Sequence, residues 1–410
     1  MHYVAAPTLI TLIWHSGKVF AYRHRFFKLK PYICKLHFNN RQQMKMSLRK
    51  LNSIILAGAV ILSAVSCNDD DEPTAGPSLN GKLKISVPAY IAQKATVAMK
   101  QTGASHPDGA GIGYSWRVSP VMTKSDTTRL ESGLDKDGNE SDGSFTYTFP
   151  DTLKAYTVTC YAFAKGYSGI TATAYPEIVK GGVNGSVTGI DFSSSKKETI
   201  AGQTYYITSI GGRDWLRRNV SNGNSGLPYR NCKAMNDVLG RFYNWNDAKN
   251  ACPQGWELPS EEDWTALAKA AGASGEPEKY KKIEGVAAAL MADAKFNGTK
   301  MWEYWPAVGE ITDAAGISMI PAGFTSLGTA DPNSEENAEK SPLRPHMEFL
   351  YPGAVFQGVK EYAVFWTGDL VEGEPGMAYY RYIIADQPDL QIGKGDINTF
   401  GASVRCVRKK

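Results

Sequence analysis

Histidine is scarce in this chain, and so are cysteine and long apolar runs. Six His occur in 410 residues, and only His106 and His346 lie beyond residue 66. A His-based triad or a His-rich metal site therefore has almost no material. No apolar stretch approaches the ~20 residues that a membrane-spanning helix needs. The longest, Ile54–Val65, has the length of a secretory h-region, roughly 7–15 residues. A basic nucleic-acid footprint is missing too. Residues 1–66 hold ten Lys and Arg and no acid, so the rest of the chain carries a net charge of −6 (35 bases against all 41 acids) despite the formal +4 of the whole.

The head is organised for export. Lys45, Arg49 and Lys50 precede the apolar run, and residues 1–66 are expected to be an upstream extension and signal peptide with the true start at Met44 or Met46. Ala64-Val65-Ser66-Cys67 resembles a bacterial lipobox, with Ala64 where a larger aliphatic is usual. Cys67 would be the acylated first residue, each buried lipid CH₂ adding about 0.8 kcal/mol to anchoring. Asn68–Glu72 resembles the acidic signal that sends Bacteroidetes lipoproteins to the outer face of the outer membrane. Residues 67–80 would then be an acidic, Pro- and Gly-rich tether.

Residues 81–195 are expected to form an all-β module. Leu83–Val87, Thr96–Met99, Gly113–Val118, Ser144–Phe149, Tyr156–Phe163 and Ile170–Tyr175 read as short strands spaced by turns, and no segment sustains a helical period. Tyr156–Ala162 alternates as a strand with one covered face should, and it resembles the penultimate strand of immunoglobulin-like or PKD-like sandwiches. Trp116 is the expected core aromatic and Cys160 a buried thiol. A last strand is expected over Ser186–Phe192. Asp135–Asp142 reads as a solvated hairpin tip, since Gly138 falls fourth where a calcium loop wants Gly sixth. Asp126-Thr127-Thr128 and Asp151-Thr152-Leu153 resemble short O-glycosylation acceptor sites.

Composition shifts beyond Ser195, and seven of the nine Trp lie in residues 196–410. The centre of this part is Ala251–Ser260. Pro253 and Pro259 stiffen a connector, and Ser260 is placed to cap a helix whose first turn is Glu261-Glu262-Asp263, with Trp264, Leu267 and Ala268 on its apolar side. Together with Gly240–Trp245 upstream, Asp214-Trp215-Leu216, Ile320–Phe324, Phe365-Trp366-Thr367 and Val404–Val407, these blocks resemble the Fibrobacter succinogenes major paralogous (FISUMP) domain. Glu257 stands where that family usually has His, and Asp331–Pro352 looks like added loop. The resemblance implies exported bacterial proteins with an α+β fold similar to C-type lectins and no established general activity. It also brings Cys252 and Cys406 together, implying a disulfide between them; with Cys160 and Cys232, three pairings are possible.

Neither catalysis nor a metal or cofactor is expected. Trp245-Asn246-Asp247 and Gln387-Pro388-Asp389 match lectin calcium tripeptides in the wrong order, and the acids of the first helical turn are explained by capping. The ring-dense stretch Met301–Pro306, holding Trp302, Tyr304 and Trp305 after an Ala-rich helix over Val286–Ala294, is offered as a ligand surface, as are Tyr379 and Arg381. The function expected is non-catalytic recognition of a glycan or surface protein by the C-terminal domain, with the sandwich as a spacer. The alternatives are a structural subunit of a surface assembly and, less favoured, a carbohydrate-active enzyme.

Overall fold

In the computed structural model the described residues are 14–15, 18–19, 76–121, 128–132, 143–152, 155–200, 202–221, 225–302, 310–327, 349–351 and 354–409. The signal segment, Cys67, the acidic tether up to residue 75, the hairpin tip 135–142, Asp126-Thr127, Tyr304, Trp305 and His346 lie outside them. The chain divides into two compact units, 1–73 and 74–410. Within the second, the described residues are β-rich with few helices.

The N-terminal module is built from β1 (Asn80–Ser86), β2 (Tyr90–Ala92), β3 (Thr96–Ser105), β4 (Gly113–Pro120), β5 (Thr128–Ser132), β6 (Phe145–Thr148), β7 (Tyr156–Phe163), β8 (Ile170–Ala174) and β9 (Glu177–Val179). One antiparallel sheet runs β8-β7-β4-β5 and another β1-β3-β6. Period-2 alternation sends Tyr156, Val158, Cys160 and Ala162 inward. There they share a core with Trp116, Leu83, Met99 and Phe149. Trp116 can be fully buried because its indole N–H donates to Gly143 O at 2.9 Å. β2 and β9, short and unannounced in the sequence, pair in parallel beside these sheets.

The expected last strand over Ser186–Phe192 is not part of the sandwich. Only Val187–Thr188 is extended, and it pairs with Lys295–Phe296 of the C-terminal module. That hairpin turns at Asn297 and Gly298, both at positive φ (45° and 82°), as a tight two-residue hairpin turn demands. Tyr90 and Ala89 pack against a core cluster that includes Val179, Tyr229, Cys232, Met235 and Phe356. The sandwich is therefore seated in the C-terminal module and is not a detached spacer.

The C-terminal module begins and ends in one sheet. Lys196–Ile200, Gln203–Ile210 and Arg213–Leu216 are joined by the closing strand Val407–Lys409. Beside it lie the sheet of Tyr362–Leu370, Met377–Ile384 and Gln391–Asp396, and a second one ordered Phe349–Tyr351, Ala354–Gln357, Phe324–Leu327, Phe400–Gly401. Helix α1 (Glu261–Ala270) starts where expected, with a complete capping box between Ser260 and Asp263. Cys252 and Cys406 are bonded, their Cα atoms 5.7 Å apart, while Cys160 and Cys232 are free and buried. Of the Ala-rich helix expected over Val286–Ala294, only the turn Ala287–Leu290 forms. Met291 leaves it in extended geometry and forms a parallel bridge with Met319.

Buried charge holds the closing strand. Arg405, fully buried, donates to Asn219 Oδ1 at 2.8 Å and to the carbonyls of Leu216, Ile317 and Ser318, and burial pulls its pKa down to about 9. At the surface, hydrogen bonds from Arg408 and then Lys196 hold the Glu198 carboxyl down at about 2 against an ordinary 4.5. A depressed carboxylate stabilises the fold above its unfolded value and loses that contribution as pH falls through the folded one. Thermal unfolding followed from pH 5 to pH 2 is therefore expected to fall less steeply in Glu198→Gln than in the parent. Parallel curves would remove Glu198 from the acid response.

Candidate ligand site between the two modules

Residues offered from the sequence as ligand contacts are dispersed. Trp302 is 2% exposed and sits in the core with Trp215, Trp264 and Leu290. Arg381 is fully buried: its Nε and Nη2 grip Glu261 Oε1 and Oε2 at 2.8 and 2.5 Å, and Nη1 donates to Lys281 O at 2.6 Å. Neither presents a face to solvent, so both are corrected from contact residue to core residue. The same pair adds to the account of α1, because Glu261, expected as a first-turn acid placed by capping and the helix dipole, is also an interior ion-pair partner. Asp263 does cap the helix and also holds Arg213 Nε at 2.6 Å. Tyr379 alone of the described candidates remains partly exposed, its ring 4.7 Å from that of Tyr280.

The two calcium-like tripeptides are likewise committed elsewhere. Trp245 Nε1 donates to Thr367 O at 2.8 Å, and Asp389 takes Lys282 Nζ and Gly285 N at 3.0 Å each. Among the described residues, no group of three or more His, Cys, Asp or Glu is placed to hold a metal ion.

A concave site does exist where the modules meet. It encloses about 410 Å³, within the range of small-ligand pockets. The sandwich contributes Tyr90 from β2 and Glu177 from β9; the C-terminal module contributes Tyr229, the hairpin Lys295–Lys300, Met301 and Lys360. These segments are far apart in the chain and meet only because β2 and β9 pair in register, Tyr90 opposite Glu177. Rings line one side: Tyr90 lies 5.9 Å from both Tyr229 and Phe296, centroid to centroid. Met235, Val238 and Leu239 floor the site, and Glu177, Thr299, Lys300 and Lys360 stand at its polar margin.

The electrostatics of the cleft are mixed. Burial, with Glu177 nearby, pushes the Tyr90 hydroxyl above its usual pKa, while Arg230 opposes the shift by charge and hydrogen bond, its guanidinium 5.8 Å from the ring centroid. Asn297 Nδ2 reaches Ile178 O at 3.1 Å and lies 3.4 Å from Glu177 Oε2, stapling the hairpin tip to the sandwich. Its Oδ1, also buried, has no hydrogen-bond partner among the described residues. An unpaired buried acceptor costs about 1–3 kcal/mol. Nothing in the sequence pointed to this cleft as a whole; the Asn297-Gly298 pair between two short extended segments was the one legible signal.

Fold and site together define a β-rich protein of two seated modules with a cleft at their junction. Residues 208–408 match the family model described as the Fibrobacter succinogenes major domain, which supports a domain of that family over this part of the chain. No curated protein matches. Among solved structures, a superoxide reductase (neelaredoxin) from Ignicoccus hospitalis aligns at 12% identity, covering 24% of this chain and 81% of that one, with a TM-score of 0.21. A likeness that slight assigns neither fold nor activity.

Proposed function

We propose that the chain is a surface-exposed outer-membrane lipoprotein, anchored through Cys67, that recognises a glycan or a surface protein without transforming it. In this reading the N-terminal module is immunoglobulin-like and the C-terminal one C-type-lectin-like, and recognition falls at their junction. The observation that carries it is the cleft of about 410 Å³ with a ring-lined wall and a polar margin. The basic head, the run Ile54–Val65 and the acids after Cys67 support the address. Among the described residues lining the cleft Glu177 is the one carboxylate, which favours binding over turnover.

Export is tested in cells. Protease applied to intact cells is expected to shave the parent protein, and Cys67→Ser is expected to shed the lipid mass and leave the membrane fraction. A Cys67→Ser protein that stays in that fraction with unchanged mass would overturn the anchor. Recognition is tested by screening the full chain, purified in detergent, against glycan and extracellular-protein arrays; saturable binding to neither would overturn it.

A further inference from the structure

The chemistry of the junction cleft is specific enough to choose between the two ligand classes. We infer that it takes a saccharide, held by stacking on the Tyr90–Phe296 wall and by hydroxyls bonded to Glu177 and the lysines at the margin. This rests on the recognition reading and narrows it to one class and one site.

Two features of the lining carry the choice. Rings and polar groups are interleaved: Tyr90 and Phe296 offer apolar faces, while Glu177, Thr299 and Lys300 offer hydrogen-bonding groups within the same space. A sugar ring has this dual character, with C–H patches for an aromatic face and hydroxyls around its edge. Next, the polar set alternates in role. Glu177 accepts, the Lys300 and Lys360 ammoniums donate, and the Thr299 hydroxyl does both. A hydroxyl that donates to one neighbour and accepts from the next is served by such a set.

Other ligands fit these features less well. A fatty or purely aromatic molecule would desolvate Glu177, Asn297 and the Lys margin without replacing their hydrogen bonds. A protein partner normally buries about 800 Å² on each side, more surface than one half-open cleft of about 410 Å³ offers. Because Tyr90 and Glu177 come from the sandwich and Phe296 and Asn297 from the other module, the site exists only when both are seated.

The test is an array of neutral and uronic-acid-containing oligosaccharides, probed with the full chain and followed by titration calorimetry of the hits. Glu177→Gln keeps shape and removes the charged acceptor; Phe296→Ala removes a ring; Tyr161→Ala, an exposed ring on β7, is a control outside the cleft. Each variant is first shown to melt as the parent does, and Glu177→Gln decides the matter if Phe296→Ala does not. The expected result is saturable binding weakened at least about 10-fold by both cleft changes and unmoved by Tyr161→Ala. A deoxy analogue of the bound sugar is expected to bind at least about 10-fold more weakly, because a site built around a hydroxyl is left unpaired without it. Sugar binding indifferent to Glu177→Gln and to the missing hydroxyl would overturn the site while leaving recognition standing. A blank sugar array with a saturable hit on an array of extracellular proteins would overturn the saccharide and keep recognition. Two blank arrays would overturn both.

Discussion

Replacing Glu261 by Ala is expected to cost the protein about 3–5 kcal/mol, the typical price of stranding one member of a buried ion pair. Glu261 and Arg381 are both fully buried, and Glu261 Oε2 also accepts from Tyr280 N at 2.8 Å. Removing the carboxylate leaves a guanidinium in the interior whose hydrogen bonds then reduce to Lys281 O. Urea unfolding of the single variant checks the magnitude. The pair replaced together, Glu261→Leu with Arg381→Met, is expected to recover much of the loss, since an apolar substitute of similar size carries no desolvation penalty. If Glu261→Ala unfolds at the parent's urea midpoint, the pair is not a structural tie.

The second large effect lies in the Cys252–Cys406 bridge. It links positions 154 residues apart, and closing so long a loop removes unfolded-state entropy worth about 4–5 kcal/mol in the chain-entropy model. Cys252→Ala with Cys406→Ala is therefore expected to shift the urea midpoint by a comparable free energy, with reductant moving the parent toward the variant and leaving the variant unchanged. Exchange with the remaining thiols is not expected to blur the comparison. Burial pushes the Cys160 thiol up to about 12 and raises that of Cys232, so neither offers thiolate at neutral pH. Iodoacetamide should accordingly leave both unmodified in the native protein; their rapid alkylation would show that the fold opens around them.

How much of this was legible in the sequence depends on how local the cause is. The strand Tyr156–Phe163 and the cap at Ser260 are decided by neighbours two or three residues away, and both stand as expected. The disulfide was reached by likeness to a family whose blocks recur in order, and the match over residues 208–408 supports that likeness. Long-range causes were not legible. Glu261 had a sufficient local explanation in the helix dipole, and nothing nearby announced a partner 120 residues on. Trp302 sits in a ring-dense stretch, which reads equally well as a surface or a core; the packing of Trp215, Leu290 and Met319 around it makes it core. The cleft needed Tyr90, Glu177 and Asn297 to be brought together by pairings between distant strands. Sequence pattern alone does not specify such pairings.

The seating of Tyr90 and Val179 among Tyr229, Cys232 and Met235 bears on how such chains diversify. A module that can be recombined freely keeps its apolar interior to itself and offers neighbours a wettable end. Here the C-terminal module leaves part of its interior to be closed by β2 and β9, and its hairpin tip donates a hydrogen bond from Asn297 N to Ser186 O in the connecting segment. Grafting this domain behind a different upstream neighbour would thus require that neighbour to supply a Tyr90 and a Val179 of its own. Inheritance of the two modules as a pair, not the shuffling of either, is the course their shared interior favours.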